Sequence, residues 1–304
     1  MNKRTIFTAI ILIILVYPAT YGQRLLAETS FDLENVSIIK IQGRFCNVNI
    51  QKGNTNRIEA KITGSGDADD YQFESDLNGD RLYFEVISPN NSWNSIREAY
   101  ITVTVNSISE LEVSNSSGNV TMKGIDGTTF DIQSTSGNVE IENLTADRLY
   151  AKSTSGNVYI KEVNSSLRAG STSGNLDISE IKGDVSAKST SGNIKIRYFE
   201  GPTEAESTSG NIMIANGKGV EYLKTTSGDI DGYDLMLDRE VTLRSTSGDI
   251  TLSVMNDFEE LSFDLNSNSG DLRAGRYDSE DDLYIKNGNI WIKGTTTSGD
   301  LEIR

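Results

Sequence analysis

The chain has 304 residues with 28 basic and 44 acidic side chains, a formal net charge of -16, no histidine and a single cysteine. So negative a chain repels phosphate backbones, which excludes nucleic acid as a partner. Without histidine, and with Cys46 as the one thiol, the sequence lacks Ser/His/Asp triads, Cys/His pairs and histidine metal sites.

The first residues have the pattern of an export signal. Residues 1–4 form a short segment with two basic side chains, residues 5–17 are almost wholly apolar, and residues 18–22 end in a small side chain suited to cleavage. The apolar run is shorter than the roughly 20 residues that a membrane-spanning helix needs. We therefore predict a signal peptide over 1–22 and a mature chain, without a transmembrane span, in the periplasm, at the outer cell surface or secreted. An uncleaved signal anchor is the alternative.

Residues 23–110 are irregular but have the patterns of strands. Two stretches with turn-forming compositions, 64–70 and 88–93, lie among four segments in which apolar and polar residues alternate: 38–41, 47–50, 57–62 and 81–87. We predict that 23–110 forms the first coils of a repetitive fold and an N-terminal β cap that covers its open edge.

A motif with a fixed glycine returns throughout residues 111–304. The letters "STSGNVYI" at Ser153 recur almost unchanged at Ser171, Ser189 and Ser207. The most frequent spacing of the motif glycines is 18 residues, which is too short for a helix pair and suits one coil of a β-solenoid. The motif glycines are Gly118, Gly137, Gly156, Gly174, Gly192, Gly210, Gly228, Gly248, Gly270, Gly288 and Gly299.

Apolar side chains keep fixed places two, four and seven residues after each motif glycine, with few exceptions. Three inward faces per coil predict a roughly triangular, right-handed parallel β-helix of about 18–20 residues per coil. Its handedness follows the general preference of parallel crossovers. A left-handed hexapeptide helix has coils of similar length, but it needs a strict six-residue pattern that these columns do not keep.

The residues at the corner of each coil are predicted to be structural. Glycine would supply a positive backbone angle, and the asparagine after it could bond through its amide to the asparagines of neighbouring coils. We therefore predict an internal corner ladder, formed by Asn138, Asn157, Asn175, Asn193 and Asn211.

With these motifs, the chain resembles the bacterial putative-adhesin family of unknown function, the group that includes head-GIN-type domains. The resemblance is carried by the early "NVNI" coil, the entry segment "YITVTVNSISELEVSNSSGNVTM" over 100–122, and the tandem S-x-S-G-[ND]-[VIL]-x-[ILM] coils. It implies a β-helical protein of the cell envelope or surface, and it transfers no catalytic residues.

From the seventh coil the corner residue changes from asparagine to aspartate. Stacked carboxylates repel unless water solvates them or a cation lies between them, so Asp229, Asp249 and Asp271 are a candidate calcium site. The alternative is that these side chains simply face water, where aspartate and asparagine are near equivalents. The sequence also lacks the G-G-x-G-x-D spacing of calcium-binding β-rolls. No other cofactor is predicted.

We predict that the chain is an exported, adhesin-like, non-catalytic protein that presents a rigid surface to an unknown protein or glycan. Outward positions carry Tyr159 and Trp291, which could stack on sugar rings or on a protein partner. Two alternatives stay open: a carbohydrate-active enzyme on the same scaffold, which needs a pair of carboxylates across a groove, and a periplasmic structural spacer.

Overall fold

A computed structural model of the chain describes residues 24–88 and 96–304. Their secondary structure consists of 25 β-strands and two short 3-10 helices, Ala68–Asp70 and Phe258–Glu260. The all-β prediction is therefore confirmed. The predicted signal peptide and most of the predicted loop 88–93 lie outside the described residues.

The chain divides into two compact units, Met1–Gly137 and Asn138–Arg304, called unit 1 and unit 2. Each unit has its own buried core of strand residues. The boundary predicted after residue 110 falls inside unit 1, and the division into 23–110 and 111–304 stays a prediction.

Ten strands form the described part of unit 1. In most of them side chains alternate between buried and more exposed positions, because successive residues of a strand point to opposite faces, whereas β5 has no buried side chain. The strands are β1 (Arg24–Asp32), β2 (Ile38–Arg44), β3 (Asn47–Lys52), β4 (Arg57–Gly64), β5 (Gln72–Asn78), β6 (Arg81–Ile87), β7 (Ile96–Val105), β8 (Glu110–Asn115), β9 (Val120–Asp126) and β10 (Thr129–Ser134).

The strands of unit 1 do not stack in chain order. Strand β2 pairs in parallel with both β6 and β8, so that Ile39 lies opposite Leu82 on one side and Leu111 on the other. In the same way, β3 lies between β7 and β9. Strand β5 pairs antiparallel with β6, and β4 pairs antiparallel with β7. Strand β1 in turn pairs antiparallel with β4. The outer edges of β6 and β7 are therefore covered by antiparallel strands, which protects them from pairing with another chain.

The one thiol of the chain lies in the core of unit 1. Cys46 is fully buried, and this burial raises the pKa of its thiol to about 12. The side chain is therefore protonated at neutral pH and packs as a small apolar residue rather than as a reactive nucleophile.

Unit 2 consists of fifteen strands and one of the short 3-10 helices. The strands are β11 (Val139–Ser153), β12 (Val158–Ser171), β13 (Leu176–Lys182), β14 (Val185–Ser189), β15 (Ile194–Ser207), β16 (Ile212–Thr225), β17 (Ile230–Met236), β18 (Val241–Arg244), β19 (Ile250–Val254), β20 (Leu261–Ser267), β21 (Leu272–Ala274), β22 (Tyr277–Ser279), β23 (Asp282–Ile285), β24 (Ile290–Thr296) and β25 (Leu301–Ile303).

From β11 to β19 the strands stack in parallel with the motifs in register. Each residue lies opposite its equivalent in the next motif, as in the row Val158, Leu176, Ile194, Ile212 and Ile230. All five side chains are buried. The apolar columns of the sequence therefore form the core of a solenoid-like β-repeat, because parallel strands with matching periods bring like residues together.

The last strands of unit 2 depart from chain order. Ile292 of β24 pairs with Val241 of β18 and with Phe263 of β20, while β25 lies between β19 and β21. The segment that ends the chain is thus an inner layer of the stack. Strand β22 pairs antiparallel with β21, and β23 pairs antiparallel with β20. These two strands cover the outer edges of β21 and β20.

This order corrects one motif assignment. The sequence pattern includes Gly288 among the motif glycines, but its neighbour is the backbone of Glu260, whereas Gly299 stacks between Gly248 and Gly270. The segment that follows Gly288 instead corresponds to the strand that precedes the Gly299 motif. The sequence pattern could not reveal this, since "GNIWI" matches the motif by letters alone.

The strand order of unit 2 predicts which cysteine pairs can form a disulfide. Thr251 lies opposite Glu302, at the spacing of neighbouring strands, about 4.8 Å, which a disulfide can bridge. Oxidation of a Thr251→Cys, Glu302→Cys variant should give an intramolecular crosslink in non-reducing electrophoresis and mass mapping. The Thr251→Cys, Arg273→Cys pair should not crosslink, because β25 separates the two positions. The opposite pattern would mean that the strands stack in chain order.

The motif glycines are needed for close packing more than for a positive backbone angle. The φ angle of Gly192 lies outside the positive range, yet a Cβ on this residue would overlap the carbonyl oxygen of Gly174 in the preceding motif. A Cβ on Gly210 would overlap the carbonyl oxygen of Gly192 in the same way. The expectation of a positive φ is therefore wrong for Gly192 and Gly210, whereas Gly248, Gly270 and Gly299 do have positive φ angles, of 149°, 155° and 139°.

The left-handed corner lies six residues after the motif glycine instead, at positions without a common residue type. Their φ angles are between 52° and 59°. Asparagine and aspartate tolerate this region best, but glutamate and tyrosine also occupy it here. These corner residues are Asn143, Glu162, Glu180, Tyr198, Asn216 and Asp234.

Candidate functional site

A ladder of side-chain oxygens runs along one corner of unit 2. The Oδ1 atom of each motif asparagine accepts the backbone N–H of the equivalent residue in the next motif, at 2.8 to 2.9 Å. The rungs join Asn138 to Asn157, Asn157 to Asn175, Asn175 to Asn193, and Asn193 to Asn211. These bonds differ from the predicted amide-to-amide contacts, because the donor is the backbone.

Aspartates continue the same ladder. Asp229 donates its N–H to Asn211, and Asp249, Asp300 and Asp271 follow in that spatial order. Asn289 lies outside this series of bonds, in keeping with the exclusion of Gly288 from the motifs. Because the rung uses only an acceptor oxygen, aspartate can replace asparagine without loss of the bond.

The serine three residues before the motif glycine has a defined structural role. Its Oγ accepts the N–H of the glycine, as Ser189 does from Gly192 and Ser207 from Gly210, both at 2.9 Å. These serines are buried, so the bonds satisfy polar groups that water does not reach. The serine and the glycine of the repeated motif therefore have a structural role in stacking.

The calcium hypothesis for Asp229, Asp249 and Asp271 stays a prediction. Asp249, Asp271 and Asp300 are exposed and Asp229 is half-buried. One oxygen each of Asp229, Asp249 and Asp300 accepts a backbone N–H. Among the described residues, no group of three or more Asp, Glu and Cys side chains is arranged to hold a metal ion.

Melting the mature chain with calcium and with a chelator tests this hypothesis. A ligand of the folded state raises the melting temperature, so calcium binding at the ladder requires a higher Tm in calcium than in chelator. Asp249→Asn keeps the hydrogen bond and should abolish that difference. Equal melting temperatures for the unmodified chain would exclude the site.

An open cavity of about 640 Å³ lies on unit 2, lined in part by Lys218, Asp238, Asn256, Glu259 and Glu260. One of its carboxylates, Asp238, has two cationic partners. Arg239 Nε donates to Asp238 at 2.9 Å, and Lys218 lies 3.6 Å from it, so the pKa of Asp238 is lowered mainly by Arg239. A carboxylate held ionised in this way is a poor general acid.

A cluster of polar side chains lies on the outer face of β6 and β2 in unit 1. Tyr83 Oη donates to Glu85 at 2.6 Å, and Arg44 also donates to Glu85. Burial, and then the bond to Glu85, raise the pKa of Tyr83 to about 12. Burial alone would raise the pKa of Glu85, but the bonds from Tyr83 and Arg44 outweigh it, so that pKa is lowered. The carboxylate of Glu85 is therefore held by hydrogen bonds from the other two side chains of the cluster.

A second carboxylate of unit 1, Asp131 on β10, has a raised pKa because of burial and the nearby charge of Glu112. Asp131 lies opposite Glu112 of β8. Lys40 contacts Glu112 at 2.6 Å, so this pair is also compensated by a cation, and it lies on an outer sheet face rather than across a groove.

Outer aromatic residues lie in different surroundings. Tyr159 is exposed on β12, where Asn157 Nδ2 donates to its hydroxyl at 3.0 Å. Trp291 lies on β24 in contact with Tyr284 of β23, with ring centroids 5.6 Å apart. The sequence indicated Tyr159 and Trp291 but not Tyr284, since only the antiparallel pairing of β23 with β20 brings it near Trp291.

Within residues 24–88 and 96–304, no helix combines the length and apolar character needed to cross a membrane. No functionally curated protein matches the chain.

Solved structures with similar chains share little sequence with this one. A putative adhesin from Bacteroides fragilis is 14% identical, with a TM-score of 0.44 over 92% of this chain and 97% of that chain. A putative adhesin from Parabacteroides merdae is 14% identical, with a TM-score of 0.41 over 70% and 96%. A putative lipid binding protein from Parabacteroides distasonis is 12% identical, with a TM-score of 0.34 over 93% and 97%.

The sequence profile of the Toastrack DUF4097 family matches residues 36–215 and 200–304. These matches include the early "NVNI" segment, the entry segment and all of the motifs on which the family resemblance rests. The resemblance inferred from the repeated motif is thereby confirmed. The chain belongs to the Toastrack DUF4097 family.

Proposed function

We propose that the chain is an exported, non-catalytic, adhesin-like protein whose repetitive part is a right-handed parallel β-helix of about 18–20 residues per coil. It presents its outer faces to a protein or glycan ligand at the cell envelope or outside the cell. In this proposal residues 1–22 are the signal peptide, 23–110 hold the cap and first coils, and 111–304 carry the repeats.

One observation supports the binding role above the others. In successive layers of unit 2 the inner columns repeat the same apolar types, whereas the outer columns vary freely. One outer row contains Tyr159, Asp177, Lys195, Met213, Asp231 and Thr251 side by side. The backbone ladders hold these side chains in fixed positions, which lowers the entropy lost on binding.

The non-catalytic part of the proposal is supported by the absence of histidine and by the state of the carboxylates. Asp238 in the cavity of unit 2 and Glu112 in unit 1 each contact a cation, Arg239 and Lys40 respectively. The pKa of Asp238 is lowered, mainly by Arg239, whereas a general acid near neutrality needs a raised pKa.

Cell fractionation with N-terminal sequencing tests export. The proposal predicts a mature chain outside the cytoplasm that begins at Gln23, because the small side chain of Gly22 suits cleavage. A chain that keeps residues 1–22 and remains in the cytoplasm would contradict the proposal. A membrane-bound chain that keeps them would favour the signal anchor.

A further inference from the structure

A pair of aromatic rings, one exposed and one half-buried, lies near the edge of unit 2, on strands that differ in direction. Trp291 of β24 and Tyr284 of β23 have ring centroids 5.6 Å apart and planes inclined by 39°. Other ring contacts, such as Phe258 with Phe263, include a ring that is fully buried. Tyr284 instead keeps 65% of its surface exposed, so the pair is not part of the core.

Strand alternation fixes both rings on the outer face. Ile292 and Leu283, the neighbours of the two aromatic residues, are buried, so Trp291 and Tyr284 point away from the core. Strand β24 is an inner layer between β18 and β20, and β23 is paired along β20. The rings are therefore carried by strands with fixed registers rather than by loops.

Polar side chains border the rings on the same face. By register, Asp264 lies between Lys293 and Tyr284, and Asn266 Nδ2 donates to Asp264 Oδ1 at 3.3 Å. Lys293 Nζ lies 2.8 Å from Glu240. Carboxylate, amide and ammonium groups thus stand beside an apolar surface, which provides both stacking and hydrogen bonding.

We propose that Tyr284 and Trp291 form a stacking platform for a glycan of neutral pyranose sugars, an inference that rests on the proposed surface-binding function. A pyranose ring has an apolar C–H face that packs on an aromatic ring, and hydroxyl groups around its rim that need donors and acceptors. Asp264, Asn266 and Lys293 supply both.

The charge around the platform selects a neutral ligand. The acidic run that leads to Tyr284 contains Asp278, Glu280, Asp281 and Asp282, and Asp282 lies opposite Asn266. The formal net charge of the whole chain is -16. Anionic polysaccharides are therefore repelled from this edge, whereas uncharged sugars are not.

Calorimetric titration of the mature chain tests the proposal. The probes are neutral oligosaccharides of glucose, mannose and N-acetylglucosamine, with a uronic acid oligosaccharide as the anionic comparison. We expect at least one neutral probe to bind and the uronic acid probe not to bind. Tyr284→Ala and Trp291→Ala should each weaken binding by about tenfold or more, whereas Tyr284→Phe should keep most of the affinity because the ring remains.

Tyr233→Ala is the matched control, since Tyr233 is also exposed on unit 2 but lies on β17, which pairs with β16 and β19 rather than with the strands of the platform. It should leave affinity unchanged, and all variants should keep the melting temperature of the parent. No binding of any neutral probe, unchanged binding in both alanine variants, or preference for the uronic acid probe would overturn the platform. None of these results would contradict surface display, which is measured separately on intact cells.

Discussion

Replacing Gly192 with alanine is expected to lower the free energy of unfolding of unit 2 by about 2–3 kcal/mol. The added methyl group would overlap the carbonyl oxygen of Gly174, and its next contacts are also backbone atoms. Backbone in a parallel stack cannot move aside in one layer without disturbing the layers on both sides. Urea unfolding followed by circular dichroism measures the effect.

Gly170→Ala is the matched control within the same stack. Gly170 lies on β12, and the nearest atom to an added Cβ is Lys152 Cγ at 3.7 Å, an ordinary contact with a flexible side chain. The variant should be neutral or more stable by about 0.5–1 kcal/mol, since alanine loses less conformational entropy than glycine in a strand. Equal effects at the two glycines would contradict the close stacking of the motif corners.

The largest loss is expected from Ile292→Asp, at about 4 kcal/mol or more. Ile292 is fully buried on β24, a strand with a partner on each side, β18 and β20. A carboxylate at this position either remains charged without water or must be protonated, and both states disfavour the folded chain. Thermal unfolding and hydrogen exchange of unit 2 measure the loss.

Thr295→Asp places the same carboxylate three residues further along β24, where the side chain is exposed. This control should change the free energy of unfolding by no more than about 0.5 kcal/mol. If the two variants had similar stabilities, β24 would not be an inner layer of the unit, and the strand order described for the end of the chain would be wrong.

Periodicity was sufficient to predict the core of the repeats. The residue two positions after each motif glycine is buried from Val139 to Ile250, because a strand that repeats in register must repeat its inward side chains. The all-β class followed from the same columns. A single motif carried this information, so no long-range contact had to be known in advance.

Layer order could not be predicted in the same way. In both units a segment far from its neighbours in sequence is an inner layer: β2 and β3 in unit 1, β24 and β25 in unit 2. Period and alternation show that a strand stacks, but not on which strand. The match of "GNIWI" to the motif then led to the wrong assignment of Gly288.

The hydrogen-bond partners and backbone angles of the corner residues also could not be predicted from the sequence. The sequence identified Asn157 and its equivalents as a ladder, but the donors are backbone N–H groups of the next motif rather than side-chain amides. The left-handed corner at Glu162 or Tyr198 has no sequence signal, since these residue types do not favour positive φ.

The pairing of the two platform residues could not be predicted from the sequence either. Trp291 could be recognised as an outward aromatic residue from strand alternation. Its partner, Tyr284, lies on a short antiparallel strand that follows an acidic run, and no periodic pattern connects the two. Only the pairing of both β23 and β24 with β20 brings the rings into contact.

Labelling of intact producing cells with an antibody against folded unit 2 tests the central claim most directly. The account predicts that the antibody binds without permeabilisation and that added protease removes the signal, because an adhesin-like protein must meet its ligand outside the cell. Labelling that appears only after the outer membrane is opened would contradict the adhesin proposal and favour a structural spacer in the periplasm.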